Sequence, residues 1–359
     1  MSTNRLLGIG HLTMLDVPPP DWVVIAATAG FDLVGIRVAP GTDGTEPWPI
    51  FPRSPMLAET LLRLDDTGVR VLDLDVVRLT PDSAVAEYRP VLEVGATLSA
   101  RFLTVRGDDP DPARARDTFA ALVDEALTYG LRPMIEPVAY SQVRSLDEAV
   151  AVVDGSGGGI LVDPLHLYRC GDPPDRLRVL DPTLLPYFLV CDAPRTAPRG
   201  LPAPRSGWYH RSGRRDRSAD YGRLGDPQLE ALTRRLLPGS GELPLGAVVD
   251  AMPAGVPVSV AAPNPQLRDQ LGALGFARQA RRALVSLLAS TGPGRTAECS
   301  AGPTGDPYPG LSAERAGGRA LERRVGTNGS ALTRGPSAVN GWPVLDELPA
   351  VNTDADEDR

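Results

Sequence analysis

Short runs of Val, Ile and Leu alternate along this chain with longer stretches in which apolar residues recur every three to four positions. The first pattern predicts strands buried on both faces, the second amphipathic helices. Strands are expected at 6–12, 31–38, 69–77, 102–105, 133–138, 159–163, 186–191 and 256–262. Helical spacing is expected at 22–29, 56–64, 85–92, 146–153, 177–180, 245–252 and 267–288. The clearest helix lies between the fourth and fifth strands. Asp111 is its N-cap, Pro112 takes the first helical position, and Gly130 ends it. Phe119, Leu122, Val123, Ala126 and Leu127 form its apolar stripe. Eight strand–helix units over about 285 residues imply an α/β fold with a parallel sheet, closed most economically as a single-domain (β/α)8 TIM barrel. A doubly wound open sheet is the rival, and the chain has no G-x-G-x-x-G turn to favour it.

Two segments depart from the alternation. A long irregular loop after strand seven, 195–235, carries ten arginines against Asp216, Asp220, Asp226 and Glu230. It reads as an insertion or lid over the barrel mouth that attracts anions, or as a solvated loop. Residues 291–359 are rich in Gly, Ser, Thr, Ala and Pro, without periodicity, and read as a disordered C-terminal tail. The barrel domain is therefore placed at 5–290.

Composition narrows the chemistry. Among 359 residues the 37 basic ones are all arginine. Without lysine there is no Schiff base, no pyridoxal phosphate linkage and no Walker-type phosphate loop. A net charge of −8 argues against nucleic acid and anionic membranes as partners. Cys170, Cys191 and Cys299 are too few and scattered for a disulfide scaffold or zinc module. No apolar run reaches membrane-span length, and the N-terminus lacks a secretory layout. The expectation is a soluble cytoplasmic protein, compatible with homo-oligomer formation, whose partner is a small polar or anionic molecule.

Barrel enzymes carry their reactive groups at the carboxyl ends of the strands. Glu136 ends the fifth strand and Asp163 the sixth, with His166 and Arg169 following. Asp192 ends the seventh. His11 lies on the first strand and Arg37 ends the second, near Asp73, Asp75 and Arg78. Glu136 and Asp163 come from neighbouring strands, so the two carboxylates could share a divalent cation, Mg²⁺ or Mn²⁺, or Co²⁺ or Zn²⁺ if an imidazole joins. Arg37 is placed to grip a carboxylate or phosphate, or to pair with Asp75 or Asp73.

Four blocks carry a resemblance: Glu-Pro-Val-Ala-Tyr-Ser at 136–141, Val-Asp-Pro-Leu-His-Leu-Tyr-Arg-Cys-Gly at 162–171, Cys-Asp-Ala-Pro at 191–194 and Arg-Leu-Leu-Pro-Gly-Ser-Gly-Glu-Leu at 235–243. Together they resemble the xylose isomerase-like TIM-barrel superfamily of sugar phosphate isomerases and epimerases, over about 7–289. The resemblance implies one divalent metal held by Glu, Asp, His or Gln, and Glu after strands five to eight, with the two glutamates as an acid/base pair. Glu136 and Asp163 match. The seventh-strand position falls on Leu189 and the eighth-strand one on Ala261. With those two replaced, Asp192 or His166 is the candidate third ligand. Position and resemblance together give Glu136 and His166 as candidate catalytic residues, Glu136, Asp163 and Asp192 as candidate metal ligands, and Arg37, Arg169, His11 and Arg235 as candidate substrate-binding residues, with a core role the commoner reading for His11. The leading function is metal-assisted proton transfer on a small polyhydroxy or keto-acid molecule, an isomerase or epimerase reaction. A dehydratase of the same superfamily and a catalytically degenerate barrel that binds a ligand or partner are the alternatives. A nuclease resembling endonuclease IV is a third, with only His11, His166 and His210 to build its cluster.

Overall fold

The computed structural model describes residues 5–39, 48–202 and 224–291. Eight parallel strands form its centre: β1 (Leu7–Ile9), β2 (Leu33–Arg37), β3 (Arg70–Leu79), β4 (Phe102–Gly107), β5 (Arg132–Glu136), β6 (Gly159–Ile160), β7 (Phe188–Val190) and β8 (Val258–Val260). Their order in the sheet is β6-β5-β4-β3-β2-β1-β8-β7. β8 pairs with β1, and a single parallel bridge between Val162 and Phe188 joins the two outer strands. The Leu189 N–H donates to Val162 O at 2.9 Å across this seam. The sheet thus curls into the expected TIM-barrel arrangement.

Nine helices lie among the described residues: α1 (Pro19–Ala29), α2 (Pro55–Thr67), α3 (Arg89–Thr97), α4 (Pro112–Thr128), α5 (Leu146–Val153), α6 (Pro164–Cys170), α7 (Asp226–Thr233), α8 (Leu245–Ala251) and α9 (Pro265–Ser290), the last interrupted at Gly272. α4 starts as expected, with the Asp111 side chain accepting from the Ala113 and Arg114 N–H groups. Phe119, Leu122, Val123 and Ala126 are buried, but Leu127 is exposed, outside the stripe assigned to it. α5 matches its expected bounds because Ser145 and Glu148 form a reciprocal capping box.

Three expectations are corrected. The short helix expected at 177–180 is the end of a 3₁₀ stretch, Pro174–Val179, and Leu180 is extended. His11 is not on the first strand: β1 ends at Ile9, and His11 opens a 3₁₀ turn at His11–Met14. The block at 226–233, read as part of an irregular loop, is helix α7, and 164–170, assigned to no element, is helix α6. In α7, Leu229 through Thr233 are all buried. A helix surrounded on this many sides shows no polar face, so its period disappears from the sequence. Residues 203–223 of the arginine-rich segment and 292–359 of the expected tail lie outside the described residues, as do His210 and Cys299.

Candidate active site

The carboxyl ends of the strands surround a cavity of about 60 Å³. β1 contributes the His11 turn, β2 Arg37, β3 Asp73 and Asp75, and β4 Thr104 and Arg106. Glu136 and Tyr140 come from β5 and the turn after it, His166 from α6, Leu189 from β7, Arg235 from the segment after α7, and Ala261 from the end of β8. Both positions where the resemblance expects further ligands therefore face the cavity, and both carry hydrocarbon.

Glu136 is half-buried, the least enclosed carboxyl of this group. It sits in register beside Arg106, and no hydrogen bond to its carboxyl is made among the described residues. Burial first, then the charge of Asp163, raises its proton affinity well above the ordinary glutamate range, with Arg235 opposing. Such a carboxyl holds its proton more tightly than an ordinary glutamate, and no hydrogen-bond partner for it lies among the described residues.

Asp163 caps α6, its Oδ1 accepting from the Leu165 N–H at 2.8 Å, while its Oδ2 accepts from Arg235 Nη1. Burial alone would raise its pKa, but Arg235, His166 and these hydrogen bonds bring it below the ordinary value. Asp163, His166 and Arg235 are each 2% exposed. Arg235 Nη2 lies 3.3 Å from His166 Nε2. A guanidinium only donates, so Nε2 must accept and the proton of neutral His166 resides on Nδ1. That buried Nδ1 has no partner. Burial lowers the His166 pKa to about 4, so the ring is neutral.

Ligand atoms of Glu136, Asp163 and His166 lie within 4.8 Å of one another, and the donor types and spacing are those of a divalent-metal group. Arg235, however, is already hydrogen-bonded to two of the three. A divalent ion about 4 Å from a guanidinium meets a repulsion of roughly 8 kcal/mol at an effective dielectric near 20, twice the unit-charge value. With Arg235 in this position, the three donors do not fit an ion beside it.

The remaining candidates sit in other roles. Asp192 does not join the metal-type group: its carboxylate accepts from the N–H groups of Ala193, Gly239, Gly241 and Leu243, at 2.9 to 3.0 Å. Arg169 does not line the cavity. It pairs with buried Glu230 of α7 at 2.7 Å and donates to the carbonyls of Pro194 and Arg195. His11 faces the cavity with its ring, but both nitrogens are engaged. Nδ1 accepts the Arg37 N–H at 3.0 Å, so Nε2 carries the proton and donates to Val17 O at 2.8 Å. Arg37 lines the cavity while paired with Asp75 at 2.6 Å. Its partner is one of the two acids expected from the strand ends.

Arg106, Tyr140 and Thr104 were missed by the sequence reading. Arg106 holds Asp108 at 2.6 Å and lies over the Tyr140 ring at 5.8 Å, while Tyr140 meets His166 edge-on at 5.5 Å. The available signal was position: Arg106 is the penultimate residue of β4, where a barrel places functional groups.

No family model and no curated protein matches the sequence. The fold, by contrast, is that of solved xylose isomerase-like barrels. The IolI protein with a bound zinc atom superposes with a TM-score of 0.62 at 17% identity, over 80% of this chain and 100% of that one. A xylose isomerase domain protein from Salmonella typhimurium gives 0.60 at 14% identity, over 80% and 98%. D-allulose 3-epimerase from Methylomonas, in complex with D-allulose, gives 0.54 at 14% identity, over 79% and 96%.

Proposed function

We propose that this barrel is an isomerase-type enzyme that moves a proton between neighbouring carbons of a small hydroxy- or keto-acid, with Glu136 as the proton carrier. The carrying observation is the Glu136 carboxyl itself, which lines the cavity, makes no hydrogen bond among the described residues, and has a raised proton affinity. In its ionised form it takes a proton from a hydroxyl-bearing carbon beside a carbonyl, giving an enediolate, and in its protonated form it returns that proton to the former carbonyl carbon while the hydroxyl proton passes from one oxygen to the other. A raised pKa makes the carboxylate a stronger base toward a C–H group than an ordinary glutamate. Arg106 and Tyr140 line the same cavity and bring a positive charge and a phenol to it.

Two features narrow the reading. Ala261 occupies the position of an opposing glutamate, so one carboxyl serves one face of the substrate. That favours a proton shift along one face over an inversion that needs acid and base on opposite sides. The cavity is also far smaller than the ~300–1,000 Å³ of typical drug-sized ligand sites, which favours a few-carbon acid over a hexose. A divalent ion of the kind bound by the IolI protein enters this reading only if Arg235 withdraws.

The test uses the full-length protein with a panel of three- and four-carbon hydroxy- and keto-acids in D₂O, followed by NMR. Deuterium should enter the carbon next to the carbonyl, and Glu136→Gln should slow this by about 10²–10⁴-fold. Binding of these acids by thermal shift, with no exchange in the native protein, supports the second reading, a binding barrel that has lost catalysis. Leu189 and Ala261, two hydrocarbon residues facing the cavity where ligands are expected, are the observation behind that alternative.

A further inference from the structure

A cation already contacts the metal-type group, and it belongs to the chain. Arg235 Nη1 donates to Asp163 Oδ2 and to the Ala261 carbonyl at 3.2 Å, and Nη2 donates to His166 Nε2 at 3.3 Å. Its Nε donates to Ala231 O at 2.7 Å. The guanidinium thus touches two of the three residues with metal-ligating spacing, and also the backbone at the position where an eighth-strand glutamate is expected.

We propose that the Arg235 guanidinium takes the place of the divalent ion, so that the site is organised around a tethered cation and takes up no metal. Each departure in the neighbourhood agrees with a charge of one in place of two. Asp163 alone neutralises the guanidinium, so a second metal-binding carboxylate from β8 would be a buried charge without a partner, and Ala261 stands there instead. Leu189 need supply no donor atom, because a planar guanidinium is satisfied by acceptors in its own plane. Glu136 is released from ligation and left without a hydrogen bond. His166 presents Nε2 to the guanidinium, which leaves its Nδ1–H as a buried donor without a partner.

The substitute also retains an ion's task. Of five guanidinium N–H groups, four are used within the protein, which leaves one Nη2 donor on a residue that lines the cavity. That donor and the His166 Nδ1–H would receive an anionic oxygen of a carboxylate or enolate. The arginine is held by the pairing of Leu236 with Asp192, and by Asn264 Nδ2 donating to the Arg235 carbonyl at 3.0 Å. The proposal stands whether the cavity catalyses or only binds, so its test does not depend on activity.

The full-length protein is dialysed against Mn²⁺, Co²⁺ or Zn²⁺ in turn, and bound metal is counted by mass spectrometry alongside the melting temperature. The native protein should hold well under one ion per chain and show no metal-dependent shift in melting. Arg235→Met, checked for folding by circular dichroism, should gain affinity for at least one of these ions by tenfold or more. Adding Asp163→Asn to it should remove that gain. Arg235→Lys, which keeps a positive charge, should exclude metal like the native protein. One ion per chain in the native protein, lost in Asp163→Asn, overturns the proposal whatever the arginine variants do. A folded Arg235→Met that gains no affinity overturns it as well.

Discussion

Asp73 lies inside the barrel with Oδ1 unpartnered, and among the described residues only the Thr104 hydroxyl, 3.4 Å away, approaches Oδ2. Burial, then the charge of Asp75, pushes its pKa up to about 7, against the Thr104 hydrogen bond. A carboxyl whose folded pKa exceeds its unfolded one favours folding below the unfolded value and loses that contribution as pH rises through the folded value. Asp73→Asn should therefore gain stability relative to the native protein as pH goes from about 4 to about 7. Urea melts of both proteins at several pH values measure this, and parallel curves would contradict it. The same scale shows what side-chain identity could reveal. Glu136, Asp163 and His166 were legible because a strand end followed by a turn places them at the barrel mouth. The roles of Asp192, Arg169 and His11 were not, because their partners lie in remote segments or in the backbone. Asp192 has the same chemistry as Asp163, yet four amide N–H groups claim its oxygens.

At the scale of elements, α7 and the loop after it form the device that brings Arg235 into the barrel. Arg169 at the end of α6 pairs with Glu230 of α7, and residues 237–243 wrap the Asp192 carboxylate. Arg169→Met leaves Glu230 a buried charge without its cation and should cost about 3–5 kcal/mol in denaturant unfolding. Glycine explains the Pro-Gly-Ser-Gly-Glu block. A Cβ at Gly241 would lie 2.5 Å from Asp192 Oδ1 and 2.6 Å from the Ala193 carbonyl, whereas Gly239 has open space and a φ of +84°. Gly239→Ala should thus cost about 1–2 kcal/mol for the left-handed backbone alone. Gly241→Ala should cost more, because it displaces the loop from Asp192. Equal losses in a melting comparison would refute this account. One of the four blocks that carried the family resemblance is therefore a loop that cradles the Asp192 carboxylate. The α7 helix that accompanies it was hidden by its burial.

For the whole molecule, α9 runs to Ser290, and the domain bounds expected from periodicity, 5–290, make a prediction for truncation. If 5–290 is the folding unit, a chain ending at 291 should melt at the temperature of the full-length protein, by calorimetry or circular dichroism. A lower or broader transition would assign part of the fold to the later residues. The sequence by itself determined the strand–helix alternation, the parallel sheet and the barrel, because burial on both faces writes continuous apolar runs and helical periods directly into the chain. It also determined the absence of lysine chemistry and the hydrocarbon at Leu189 and Ala261. Only the tertiary structure decided which charges meet. Arg235 and Asp163 are 72 residues apart, and their pairing at the mouth depends on the closure of eight strands and the wrapping of one loop. A local sequence pattern reports which residues are buried, but the partner of a buried charge is chosen by the fold.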